Sequence, residues 1–255
     1  LLVLTHFDLD HVGGTSAVSG RVDLVLHGPT GEPGDQRLLD SLCRPGTRVT
    51  RAEAGMTGTI GSTRWTALWP ESTAVAGNDA SIVIDVTGEN FPRTVLLGDL
   101  GAKSQAAWAR SVAVPDVRIV KVAHHGSADQ DPDVYGRMHP DLGLIGVGAG
   151  NRYGHPTASL LATLTALGTT IARTDLDGAL AAWIDDAGRL VLWRERHDAP
   201  TPAPSRPGAR TTRGGRTGRP HLASLREMSS SRRRQRERAR PSPDCPSPPA
   251  VGTGT

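Results

Sequence analysis

The sequence predicts an α/β fold rich in short strands, with a chemical site gathered along one edge of its sheets. Three observations carry that expectation. Apolar runs of three to six residues recur through residues 1–197, bounded by Gly, Pro, Asp or Asn, which is the signature of short buried strands. Few segments have the length and end signals of helices. Several of the apolar runs close on Asp or His: LLVLTHFDLDH at Leu1–His11, LLGDL around Asp99, and VRIVKVAHHGS before Ser127.

Taken in order, Leu1–Thr5 is a short apolar strand ended by polar residues, and Val22–Leu26 (VDLVL) is a second. Between them, Gly13–Val18 is expected to start a short helix capped by Thr15 or Ser16. Residues 28–37 are turn-rich, and Arg37–Leu42 reads as a short helix. Arg48–Arg51, Gly58–Ile60 and Trp65–Trp69 alternate weakly as strands, while Ser81–Val86 (SIVIDV) and Thr94–Leu97 are stronger. Ser104–Arg110 is a helix candidate. Val117–Val122 and Leu142–Val147 are strands. Thr157–Leu167 opens after Pro156 and closes at Gly168, as a helix should. Thr170–Ala172, Ala179–Ile184 and Arg189–Arg194 form a closing group of strands. No internal repeat is visible.

Composition divides the chain into residues 1–197 and 198–255. The net charge of +3 hides a split: residues 198–255 carry 12 Arg against 4 acids, and residues 1–197 carry 17 Lys and Arg against 22 acids. The basic character therefore belongs to the tail and says little about the folded part. The tail also holds 10 of the 19 prolines and the run SSSRRRQRERAR. Such a segment buries too little apolar surface to offset its ordering entropy, so a disordered Arg/Pro/Ser-rich tail is expected. An arm that grips nucleic acid through phosphate contacts is the functional alternative. Cys43 and Cys245 make no paired thiolate metal site. No run of 18 apolar residues marks a membrane span, and no charged segment followed by an apolar stretch marks a signal peptide.

The chemistry begins at His6, Asp8, Asp10 and His11, four potential ligands within six residues, directly after an apolar strand and before Gly13–Gly14. Imidazole and carboxylate together suit zinc, manganese, iron or magnesium. Asp99, His124–His125 and His155 (NRYGHP) stand at or beyond the ends of later strands. Singly, each has an ordinary structural explanation as a turn cap or a hydrogen-bonding His. Together they describe a site at one sheet edge. Ser127 offers a hydroxyl or backbone N–H to a phosphate, or is simply a turn serine. Asn78 and Asp79 read as turn residues.

HFDLDH followed by GG resembles the first signature of the metallo-β-lactamase superfamily. The ordered set THFDLDHVGG, GNDASIVIDV, LLGDL, KVAHHGS and NRYGHP, with TDLDGAL near Asp175, resembles the C-terminal metallo-hydrolase domain of ComEC-type competence proteins, from Leu1 to about Arg194. The resemblance implies a metallo-β-lactamase-like αβ/βα sandwich with two divalent ions, zinc or manganese. His6 and Asp8 would hold one ion, Asp10 and His11 the other, and Asp99 would bridge them. One of His124 and His125 would complete the second shell. His125 is the favoured ligand, with His124 touching substrate or donating a proton. Asp10 and His124 are the catalytic candidates, and His155 and Ser127 the substrate-binding ones. Asp8 stands where the superfamily has a second His, as in the ComEC-like pattern. The only further His before Asp99 is His27, which reads as a strand end. The first ion then has His6, Asp8, Asp99 and water, a carboxylate-rich set that favours manganese or an exchangeable metal.

By the same resemblance the activity is hydrolysis of DNA phosphodiesters in competence DNA uptake, next to a membrane channel in a bacterial cell membrane. The residues name no compartment for this chain itself. Two alternatives stay open: hydrolysis of a phosphorylcholine- or lactone-type ester, and a degenerate fragment whose basic tail binds nucleic acid. Superfamily domains open with strands ahead of the first metal motif. A sandwich lacking those N-terminal strands, with an exposed edge or apolar face, is therefore expected.

Overall fold

A computed structural model describes residues 1–89 and 91–196, and the backbone of residues 201–202. The expected tail, residues 198–255, lies outside the described residues apart from that dipeptide.

Three parallel strands, β1 (Leu2–Leu4), β2 (Leu24–His27) and β3 (Arg48–Arg51), form the first sheet in the order β1-β2-β3. Seven strands form the second: β4 (Thr57–Ile60), β5 (Thr63–Trp69), β6 (Val83–Gly88), β7 (Phe91–Leu96), β8 (Ile119–Lys121), β9 (Leu142–Ile145) and β10 (Thr170–Arg173). Their order is β10-β9-β8-β7-β6-β5-β4, antiparallel from β4 to β7 and parallel from β7 to β10. A third, antiparallel sheet joins β11 (Leu180–Ile184), β12 (Leu190–Arg194) and β13 (Thr201–Pro202). The helices are α1 (Leu9–Val12), α2 (Pro33–Leu42), α3 (Ala102–Ser111), α4 (Pro132–Met138), α5 (Ala158–Ala166) and α6 (Thr174–Asp177). None among the described residues is long and apolar enough to cross a membrane.

The buried side chains stack these elements into four layers. Leu39 and Leu42 of α2 pack on Leu4, Val25 and Val49 of the first sheet. The opposite face of that sheet, through Leu26, meets Trp65 and Ile84 of the second and Ile82 just ahead of β6. The far face of the second sheet, through Val83, Val95, Val120 and Ile145, packs on Trp108, Tyr135, Met138, Leu160 and Leu164 of α3, α4 and α5. Alternation along a strand sends neighbouring residues to opposite faces. Thus Val120 and Val122 enter the helix-side core while Ile119 points the other way, to Leu190 and Leu192 of the third sheet. Helix, sheet, sheet, helix is the αβ/βα sandwich that the resemblance implies. β1 stands at the edge of its sheet, and Val3, Ile82, Ile84 and Leu96 line a cavity of about 220 Å³ beside it.

Two local expectations are corrected. Residues 13–18 form no α-helix; only Thr15–Ala17 turn, as a 3-10 segment, and the α-helical turn comes earlier, at Leu9–Val12. α2 starts at Pro33 rather than Arg37, because proline is compatible with the first helical turn and Glu32 and Asp35 form a capping box. α4, for which the sequence raised no expectation, puts Val134, Tyr135 and Met138 on a shared buried face at helical spacing.

Candidate metal centre

Four loops deliver the site, each leaving the same end of its sheet. After β1 the chain turns into α1, whose single turn brings Asp10 and His11 back beside His6. After β7, Gly98 adopts φ +55, which favours glycine, and a Cβ there would lie 2.6 Å from that of Ser81. That turn presents Asp99, which is 3% exposed. After β8, His124 and His125 both take left-handed backbone, φ 46 and 50, an uncommon state that sends adjacent rings to one rim. The fourth loop, after β9, carries Asn151, Tyr153 and His155. It sits against the third because Gly126 packs on Pro156 and accepts the Thr157 N–H at 2.8 Å.

Asp99 is the hub. Its Oδ2 lies 3.3 Å from His11 Nε2, 3.3 Å from His125 Nε2 and 4.0 Å from His124 Nε2. Asp10 Oδ2 lies 3.1 Å from His125 Nε2 and 3.8 Å from His11 Nε2, and the two imidazole Nε2 atoms are 3.3 Å apart. Bonds of about 2.0–2.1 Å from Zn to N or O donors in a tetrahedron imply donors about 3.3–3.4 Å apart. The His11, His125 and Asp99 donors, each 3.3 Å from the other two, match that dimension, and Asp10 stands 3.1 and 3.8 Å from the two imidazoles. On the other side, His6 Nε2 is 3.6 Å from Asp8 Oδ2, and His6, His11 and Asp99 donors lie within 4.8 Å of one another.

The surroundings orient these donors. His125 Nδ1 donates to the Gly146 carbonyl at 2.7 Å, so its Nε2 lone pair faces the cluster. The Thr5 hydroxyl contacts Nδ1 of both His6 (3.1 Å) and His11 (3.2 Å). Ser81 Oγ touches His6 Nδ1 and accepts the Asp99 N–H at 3.0 Å. With its Nδ1 so engaged, His11 has one lone pair, which serves one ion. Behind the histidine pair, the buried Tyr135 hydroxyl donates to Gln130 at 2.6 Å and accepts the Ala123 N–H, bracing the turn. Burial pushes the Tyr135 phenol up, so it stays a donor.

Charge follows from this packing. Burial pushes the Asp99 carboxyl up, but His11, His125 and Lys121 beside it more than offset that and hold it well below the usual carboxylate range. Asp99 raises His125 despite burial. Burial, with His11 next to it, lowers His6. Two buried ligand-type atoms, His6 Nε2 and Asp99 Oδ1, have no hydrogen-bond partner. Orphaned buried polar atoms are costly; a divalent cation would satisfy His6 Nε2, whereas Asp99 Oδ1 faces the Lys121 ammonium at 3.5 Å. The residues present therefore fit a metal centre, with Asp10, His11, His125 and Asp99 able to hold one ion and His6, Asp8 and Asp99 a second.

The structure brings together His6, Asp8, Asp10, His11, Asp99, His124 and His125. His155 joins them at the rim, its ring 5.7 Å from that of His124. Ser127 is not brought in: it is buried, and its hydroxyl accepts from Asp129 N–H and contacts Gln130 within its own turn. His27 lies outside the close ligand groups, edge-on to Phe7. An open cavity of about 900 Å³ fronts the site, bounded among others by Asp10, Asp99, His124, Tyr153 and His155. The sequence reading passed over Lys121, Asn151, Tyr153 and Thr174, which also border it. A lysine interrupting VRIVKV was the one local signal.

Four-layer architecture and a His/Asp cluster at the sheet edge define a metallo-β-lactamase-like α/β protein, and its likeness is to the ComEC type. The chain is 26% identical over 187 residues to ComE operon protein 3 of Bacillus subtilis (strain 168), a match that takes in 70% of this chain and 24% of that protein. The chain thus spans about a quarter of the length of the curated relative it matches. No family model matches it. Among solved structures it is similar to CmlA, a diiron β-hydroxylase from Streptomyces venezuelae, at TM-score 0.48 and 17% identity over 68% of this chain and 43% of that one. It is also similar to the metallo-β-lactamase fold protein YhfI of B. subtilis, at TM-score 0.41 and 11% identity over 67% and 73% of the two chains.

Proposed function

We propose that residues 1–197 form a metal-dependent hydrolase unit that cleaves phosphodiester bonds in DNA, in the setting of competence DNA uptake. One observation carries the hydrolase reading: three His and two Asp, from loops far apart in sequence, gather round the buried Asp99 at the floor of an open cavity. The likeness to ComE operon protein 3 supports the competence setting. In this reading His6, Asp8 and Asp99 hold one divalent ion, and Asp10, His11, His125 and Asp99 hold the other. Bound there, divalent ions supply Lewis acidity toward the scissile phosphate and lower the pKa of water.

The chain's own groups do the rest. His124 sits 4.0 Å from Asp99 Oδ2, further out than His125, and its side chain is 32% exposed. It is placed to give a proton to the leaving oxygen rather than to bind metal. Asp10 doubles as ligand and as acceptor of a proton from the attacking water. His155, its pKa lowered by burial and by its histidine neighbours, is a neutral partner for substrate at the rim. Asn151 donates to the His155 carbonyl and fixes that loop. Tyr153, 86% exposed and stacked on His155, offers a ring face to a base. The full chain, loaded with zinc or manganese, should cleave single-stranded DNA and bis-p-nitrophenyl phosphate but not a lactone. Lactone cleavage without phosphodiester cleavage would replace the substrate assignment.

A further inference from the structure

We infer that Lys121 is a positioning residue of the metal centre, holding Asp99 so that only Oδ2 is offered to the ion bound by Asp10, His11 and His125. The inference rests on the metal-centre reading above.

A lysine in the middle of a seven-stranded sheet needs a reason. Lys121 ends β8, paired with Leu96 of β7 on one side and Leu144 of β9 on the other, and its neighbours Val120 and Val122 are fully buried. Lys121 itself is half-buried, its side chain 23% exposed, and a lysine that far into a sheet calls for a partner for its charge. Alternation turns its side chain to the face between the sheets, away from the helix-side core that takes Val120 and Val122. It lines both the small cavity beside β1 and the open one in front of the site. Its ammonium donates to the Gly98 carbonyl at 3.0 Å and lies 3.5 Å from Asp99 Oδ1.

The two oxygens of Asp99 thus have different neighbours. Oδ1 has the ammonium within ion-pair distance, and Oδ2 has the two Nε2 atoms, each at 3.3 Å. The Asp99 backbone is held as well, through its N–H to Ser81 and through the left-handed turn at Gly98. A carboxylate free to swing can chelate one ion through both oxygens and raise its coordination number. A carboxylate with one oxygen claimed by an ammonium binds through the other and leaves a four-donor set four-coordinate. Lysine suits this task because its compact charge takes one oxygen, whereas the arginine fork matches both oxygens of a carboxylate at once.

Cobalt(II) reports coordination number through its visible absorption, strong when four-coordinate and several-fold weaker when five- or six-coordinate. The full chain is loaded with one equivalent of Co(II), with bound metal quantified. The wild type should give the strong four-coordinate spectrum. Lys121→Met at equal metal content should lose at least half of that intensity. Lys121→Gln, which keeps a donor for the Gly98 carbonyl but no charge, should lose it too. An unchanged spectrum in either folded variant overturns the inference and leaves the metal-centre reading standing. A wild-type chain that binds no Co(II) overturns both.

Discussion

The two halves of the site are built to different standards. On the Asp10, His11, His125 and Asp99 side, four donors come from three loops, both carboxylates lie 3.1–3.8 Å from the two imidazole Nε2 atoms, and each imidazole is oriented through its far nitrogen. On the other side stand His6, buried, and Asp8, whose side chain is 63% exposed and 3.6 Å away, with Asp99 shared between the two sides. His11 can serve only one of them. The difference teaches that a symmetrical-looking run of ligands, HFDLDH, does not make symmetrical sites. What separates the halves is the third loop, after β8, which adds His125 to one and nothing to the other.

Ligand deletion tests that contrast most severely. Losing a mere outer-shell partner costs about 10–100-fold in metal affinity, so His125→Ala should weaken the tighter site by more than about 100-fold. His6→Ala should leave that event within about tenfold and abolish only the weaker one. Calorimetric zinc titrations of both variants decide it, and equal losses would erase the distinction between the halves.

Metal removal comes next. Dialysis against a moderate chelator should strip the His6–Asp8 side first and leave one equivalent, read by elemental analysis. At a free concentration of 100 times Kd an ion adds about 2.7 kcal/mol to stability. For a domain of this size that raises Tm by roughly 5–10 °C, and most of the rise should accompany the first equivalent.

A smaller effect separates the halves by pH. Asp99 raises His125, so its proton is held to a pH above the ordinary histidine value of about 6.5. Burial lowers His6, which is therefore neutral to lower pH. Ligands must be deprotonated to bind. Affinity for the first equivalent should therefore begin to fall as pH drops through the raised His125 value, while proton competition at His6 sets in only at lower pH. Titrations from pH 8 to 5.5 that show the same midpoint for both equivalents would contradict this.

The smallest expected change lies outside both halves. Tyr153→Ala should raise KM for single-stranded DNA about fivefold or more, since stacking on one base is worth about 1–3 kcal/mol. Both metal equivalents and kcat should be unaltered.

Much of this was legible in the chain. The strands at Arg48–Arg51 and Leu142–Ile145 stand where short apolar or alternating runs put them. HFDLDH was readable because its donors are local and each leaves the same strand end. Misreadings came where a distant contact overrode a local signal. Residues 13–18 look like a helix start, but the helical turn is Leu9–Val12, which sets His11 against Asp99. Of the two roles open to Ser127, the turn serine is the one its near neighbours make, its hydroxyl accepting from the Asp129 N–H and the Gln130 amide. α4 hides its periodicity because Gly136 and Arg137 interrupt an apolar stripe that only α3 and α5 reveal.

By itself the sequence determined which donors exist and that they leave short strands at one edge, because periodicity and strand-end placement are local properties. Only the tertiary structure decided how those donors are divided. Sheet order sets β8 beside β7, so Lys121 reaches Asp99, and the Gly146 carbonyl after β9 turns His125 rather than His124 inward. A ligand's identity is written in one residue, but the direction of its lone pair depends on neighbours more than twenty residues away.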